Sequence, residues 1–122
     1  MSLMKFKEFI TFLGTKDLKK TSNFYQNIIG LTLYKDQGVC LIFDINSQSK
    51  IGFCEHIATI HAKKSPIITF VTDSVDEIYN KLINSGLSVK EKPKLNHKFN
   101  IYHFFLKDPN GYTIEIQKFL DI

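Results

Sequence analysis

Glu115 and His103 are the two side chains with the clearest capacity for chemistry. Glu115 stands between Ile114 and Ile116. Alternate side chains of a strand face opposite ways, so a carboxylate flanked by two isoleucines turns away from the face they bury. Thr113 and Gln117 share its parity. A carboxylate there can accept hydrogen bonds from a ligand or act as a general base. His103 lies in Ile101-Tyr102-His103-Phe104-Phe105 and shares its parity with Ile101 and Phe105. A hairpin joining the two segments can bring His103 to Glu115 as an acid–base pair. A plainer reading stands beside each: a carboxylate paired with a neighbouring donor, and a half-buried histidine satisfied by hydrogen bonds.

The remaining candidates are weaker. Glu55, His56 and His61 do not have the HExxH spacing that sets two ligands on one helical face, so a surface loop is expected. His97 falls in the loop-like run Pro93-Lys94-Leu95-Asn96-His97-Lys98. Cys40 and Cys54 sit in no CxxC or zinc spacing. They read as reduced, buried thiols of a cytosolic protein, with a disulfide between them left open.

The elements that must position these groups occur twice in the same order. A β-rich run covers 6–13, with Phe6, Glu8, Ile10 and Phe12 on one face. Asp17 caps a helix whose apolar residues are Leu18, Phe24, Tyr25, Ile28 and Ile29, and Gly30 stops it. Short strands are expected over 31–35, 39–45 and 50–54, separated by turn residues. The second half opens with a strand at 67–71. Ser74-Val75-Asp76-Glu77 then reads as a capping box, and Val75, Ile78, Tyr79, Leu82 and Ile83 give an apolar helix face ending at Gly86. Strands follow at 87–91, 100–106 and 112–118, the last two joined by the turn Asp108-Pro109-Asn110-Gly111. Gly30 and Gly86 stand 56 residues apart, the period of an internal duplication. The expected fold is α+β: one domain over 4–122, built of two βαβββ modules, about 4–55 and 66–119, with linker 56–65. Each sheet has helix cover on one face. Pairing the other faces makes a curved mixed sheet around a cavity, the natural ligand site. Met1-Ser2-Leu3 ahead of Met4 reads as an expression remnant.

Bulk properties narrow the function. The 122 residues are 43% hydrophobic, with 11 Phe and 5 Tyr, which suits a thick core or an aromatic-lined pocket. Lysine supplies the basic charge behind a net +4, scattered along the chain. No stripe or known module marks a nucleic-acid binder. That charge is compatible with an anionic small ligand. No apolar run approaches the roughly 20 residues that span a bilayer, and no signal peptide is visible. A cytoplasmic location is expected, with neither nucleic acid nor membrane as partner.

Two segments carry a family resemblance. One is Phe12-Leu13-Gly14-Thr15-Lys16-Asp17-Leu18, leading through Phe24-Tyr25 to Ile29-Gly30-Leu31. The other is Phe105-Leu106-Lys107-Asp108-Pro109-Asn110-Gly111-Tyr112-Thr113-Ile114-Glu115-Ile116. From about Phe6 to Phe119 the chain resembles the vicinal oxygen chelate superfamily of glyoxalase I, bleomycin-binding proteins, fosfomycin-resistance enzymes and extradiol dioxygenases. The resemblance implies a cavity of paired βαβββ units, often completed across a homodimer. In metal-dependent members it also implies His, Gln or Glu ligands on the first and last strands of each module. Those positions fall here at Ile10, Gly52, Ile67 and Glu115. Isoleucine and glycine side chains donate nothing, and one carboxylate does not replace a cation's hydration shell, so no metal and no cofactor are expected. Glu8 is the nearest substitute donor. The implied ligand-binding residues are Ile10, Phe12, Ile67, His103, Phe105, Thr113, Glu115 and Gln117. The expected function is sequestration of an apolar or aromatic small molecule, such as an antibiotic, in the manner of bleomycin-resistance proteins. The alternative is a glyoxalase-like lyase or isomerase, metal-dependent or metal-free through Glu115 and His103.

Overall fold

In the computed structural model, which describes residues 4–59 and 64–121, the chain divides into two compact units, one on each side of residues 60–63. Each unit is a four-stranded mixed sheet with little helix, so the class is α+β.

In the N-terminal unit, β1 (Phe9–Gly14) leads to α1 (Leu18–Ser22), a π-helical turn (Asn23–Ile28), β2 (Thr32–Asp36), β3 (Cys40–Asn46) and β4 (Ser49–Cys54). The strand order is β1-β4-β3-β2; β1 runs parallel to β4, and the other pairs are antiparallel. Phe6 and Glu8, placed in the first strand by sequence, precede β1. Asp17 caps α1 as expected, its carboxylate accepting from the Lys20 N–H at 2.9 Å. The single helix expected over this stretch instead widens after Ser22. The Ile29 N–H reaches back five residues to the Phe24 carbonyl at 2.9 Å. The wider turn lets the adjacent Phe24 and Tyr25 both enter the core. The Tyr25 ring stacks on Phe53 with centroids 4.6 Å apart and meets Phe24 edge-on at 5.0 Å. Gly30 closes the helix at φ 92°, a conformation glycine adopts without steric cost.

Cys40 and Cys54 face each other across β3 and β4. The Glu55 N–H bonds the Val39 carbonyl just outside the pair, which makes it a non-hydrogen-bonded pair, the type with closer side chains. The two sulfurs form a disulfide. The expectation of reduced thiols is therefore corrected: β-pairing closes a 14-residue separation that spacing alone does not reveal. The thiol argument for a cytosolic setting falls with it. No helix among the described residues is long and apolar enough to cross a membrane.

The C-terminal unit contains β5 (Ile67–Val71), α2 (Val75–Asn84), β6 (Lys94–Asn96), β7 (Ile101–Lys107) and β8 (Thr113–Phe119), in the order β5-β8-β7-β6 with β5 parallel to β8. The strand expected at 87–91 does not form. Lys90, Glu91 and Lys92 are all exposed and offer no face to bury, and pairing begins only after Pro93, which has no N–H for a ladder. The Ser74 capping box does not form either. The Ser74 side chain makes no cap bond, and its own N–H is held by the Thr72 hydroxyl at 3.0 Å. The turn after β7 does form as read: Asp108 Oδ1 accepts from the N–H groups of Asn110 at 2.8 Å and Tyr112 at 2.9 Å. Val75, Leu82, Phe104, Leu106, Ile114 and Ile116 are buried, and Tyr79 meets Phe104 edge-on at 5.3 Å. Helix-facing and helix-free sides of β7 and β8 are thereby set, and the helix-free side carries the polar residues.

Candidate functional site

On the helix-free side of β5, β7 and β8, three donors converge on one buried carboxylate. Thr69, level with Glu115 on the neighbouring strand, donates its hydroxyl to Oε1 at 2.8 Å. His103 Nδ1 lies 2.7 Å from Oε2. The Gln117 amide, turned so that its nitrogen faces Glu115, donates to Oε2 at 3.1 Å and Oε1 at 3.3 Å. A carboxylate whose two oxygens are both met by donors fixes the imidazole beside it. Nδ1 of His103 then carries the proton, which leaves Nε2 as the acceptor of the neutral ring or a donor of the charged one. His103 is only 5% exposed, and its Nε2 has no hydrogen-bond partner among the described residues.

His103 forms part of the wall of a cavity of about 520 Å³. Leu87, Phe105 and Leu106 supply apolar surface, and the Phe105 ring meets the imidazole edge-on at 5.0 Å. Four lysines line it as well: Lys90, Lys92, Lys94 and Lys107, against one acid, Glu91. Lys94 is paired to Glu91 at 2.7 Å, which holds the Glu91 carboxyl below its ordinary value. Lys107 donates to the Thr113 hydroxyl at 2.7 Å. Lys90 and Lys92 make no ion pair among the described residues.

The candidates from sequence are thus partly assembled. His103, Phe105 and Thr113 line the cavity, while Glu115 and Gln117 stand behind His103 as its support. Ile67 lies on the same strand face, level with Thr113, and is exposed. Ile10 and Phe12 belong to the other unit. There the Phe12 ring lies over Gly52, so close that a Cβ on Gly52 would stand 2.6 Å from it. Sequence reading missed the four cavity lysines, which it treated as scattered surface charge. The run Lys90-Glu91-Lys92-Pro93-Lys94, charged and interrupted by a strand-breaking proline, was the available signal.

The donors do not fit the cation of metal-dependent relatives. Of the four expected positions only Glu115 carries a donor side chain, and Thr69, His103 and Gln117 occupy its oxygens. Glu8, the nearest substitute, faces the buried Lys50 ammonium at 3.4 Å; Asp44 lies 3.8 Å from the same nitrogen, and the Tyr34 ring centroid 4.5 Å. That acid already has a cation.

A family model described as the Glyoxalase/Bleomycin resistance protein/Dioxygenase superfamily matches residues 9–116. The chain is similar in structure to a glyoxalase/bleomycin resistance protein/dioxygenase from Nocardioides, with 16% identity, TM-score 0.76, and coverage of 99% of this chain and 87% of that one. It is also similar to a lactoylglutathione lyase from Agrobacterium tumefaciens, with 20% identity, TM-score 0.72, and coverage of 89% and 90%. An integron cassette protein from V. cholerae gives 19% identity, TM-score 0.73, and coverage of 97% and 98%. Identities this low carry the fold alone. No curated protein sequence matches the chain.

Proposed function

This chain belongs to the glyoxalase/bleomycin resistance protein/dioxygenase superfamily, and from that premise we propose that it binds a small organic molecule with an apolar body and an anionic end, without a metal ion. The observation that carries the proposal is the buried Nε2 of His103, without a partner among the described residues, at the wall of a cavity with apolar and lysine-rich sides. A buried polar atom without a partner costs roughly 1–3 kcal/mol, and a ligand hydroxyl or carboxylate meeting it recovers that cost. Leu87, Phe105 and Leu106 favour a planar or aliphatic body through area burial. The lysines favour a carboxylate, phosphonate or phosphate. This narrows the broader expectation of an apolar or aromatic ligand by adding the charge.

A thermal-shift screen of aromatic carboxylates and phosphonates beside their uncharged and cationic analogues tests the proposal. A bound anion at a hundred times its Kd stabilises by about 2.7 kcal/mol, and the shift should vanish in His103→Ala. Silence across the anionic set would count against it. The homodimer implied by the family belongs to the same proposal, and sedimentation equilibrium checks it.

The dyad itself favours a second reading. With Glu115 holding Nδ1–H, Nε2 of neutral His103 is oriented to take a proton from a bound substrate, as in a metal-free lyase or isomerase. Exchange of a ligand's carbon-bound proton with solvent deuterium, present in the natural chain and lost in His103→Ala, would select this reading over passive binding.

A further inference from the structure

The N-terminal unit carries a cluster that the binding reading does not use. Sγ of Cys40, Sγ of Cys54 and a ring nitrogen of His56 all lie within 4.8 Å of one another. Among the described residues this is the one group of three or more Cys, His, Asp or Glu ligand atoms gathered so closely. The two cysteines are buried and joined as a disulfide, while His56 is exposed. The Glu55 N–H bonds the Val39 carbonyl at 2.9 Å, which carries the β3–β4 pairing up to the residue before His56. His56 Nδ1 then stands 3.8 Å from Cys40 Sγ.

We infer that this cluster is a zinc site controlled by the thiol–disulfide state, with Cys40, Cys54 and His56 as ligands. Zinc–sulfur bonds of about 2.3 Å and zinc–nitrogen bonds of about 2.0–2.1 Å set tetrahedral ligand atoms roughly 3.4–3.8 Å apart. The sulfur–nitrogen separation is already near that range. The two sulfurs reach it by side-chain rotation once their bond opens. Two thiolates and a neutral imidazole form a soft, borderline donor set suited to zinc rather than to magnesium or calcium.

The chemistry balances in two steps. A dithiol reductant gives two electrons and two protons, the Cys40–Cys54 bond breaks, and the reductant becomes a disulfide. The two resulting thiols then release their protons to solvent as they bind Zn²⁺, which leaves the site with no net charge. The oxidised form has no thiolate to offer, so the bridge excludes the metal and the metal protects the thiols from reoxidation.

The full chain, reduced with a phosphine that does not bind metal, is titrated with Co²⁺ and then Zn²⁺, with far-ultraviolet circular dichroism alongside. The site predicts one equivalent of Co²⁺ with a thiolate-to-metal charge-transfer band, displaced by Zn²⁺ and absent from the oxidised protein. His56 is exposed, so His56→Ala should fold normally. It should weaken Zn²⁺ binding by more than the roughly tenfold that loss of even an outer-shell partner costs. No band in the reduced folded protein, equal binding by the oxidised protein, or unchanged affinity in His56→Ala would each overturn the assignment. Unfolding on reduction would overturn it as well, because the site needs β3 and β4 paired.

Discussion

At Glu115 a threonine, a histidine and an amide converge on one carboxylate, and the consequence falls on the histidine. Glu115 acts through His103, so the two should respond differently to mutation. His103→Ala removes the contact atom and should abolish binding of an anionic aromatic ligand. Glu115→Gln keeps shape but loses charge, and should weaken binding about tenfold, ~1.4 kcal/mol, in calorimetric titration. Equal losses would place Glu115 in direct contact with the ligand instead. Tyr102 offers an independent check on the same sheet. Its hydroxyl donates to Asp76 at 2.6 Å, and that bond, then burial and the nearby negative charge, hold the phenol above its ordinary value near 10.0. The folded state favours the neutral phenol, so this contribution is present below the unfolded value and fades as pH rises through the raised one. Asp76→Asn should bring the tyrosinate midpoint down in an absorbance titration; an unmoved midpoint would contradict the assignment. The parity of Glu115 and His103 was legible in the sequence because alternation in a strand is local. That Nδ1 rather than Nε2 meets the carboxylate was not, because side-chain rotation depends on all the neighbours.

β1 and β4 show what close packing asks of single elements. A Cβ added at Gly14 would stand 2.6 Å from the Ala58 carbonyl oxygen, a backbone atom that cannot swing aside. A Cβ at Gly52 would clash only with the Phe12 ring, which is 42% exposed and able to rotate away, and would meet Ile42 at an ordinary contact distance of 3.5 Å. Gly14→Ala should therefore destabilise by about 1–3 kcal/mol, and Gly52→Ala by less. Urea denaturation with unchanged m-values measures both, and the reverse order would show that the Phe12 ring is fixed. Most elements were legible because glycine stops, turn residues and alternation act within a few residues. The strand expected at 87–91 misled because its period fitted while its charges had no face to bury. The π-helical turn was hidden because Phe24 and Tyr25 needed both to be buried, a demand set by Phe53 and Phe43 on distant strands.

Over the whole molecule the net charge is +4, which by itself says only that the surface is mildly basic. The fold gives that charge a location by gathering Lys90, Lys92, Lys94 and Lys107 around one cavity. If they attract the ligand's anionic end, its affinity should fall as salt rises and the screening length drops below about 10 Å. An uncharged analogue of the same shape should hold its affinity. Lys92→Gln should weaken the anion alone, by roughly 0.3–1 kcal/mol as for an exposed charge contact. Loss of both ligands in that variant would point to a packing role for the lysine stem.

Local rules determined the repeated strand–helix–strand order, the capping Asp17, the stopping glycines, the Asp108 turn and the family, because each depends on neighbours in the chain. Tertiary structure decided what depends on residues far apart in sequence. It joined Cys40 to Cys54, turned His103 onto Glu115, gave Glu8 a lysine partner and drew the lysines to one cavity. Those outcomes rest on strand register and side-chain rotamers, which are settled only when the whole sheet packs.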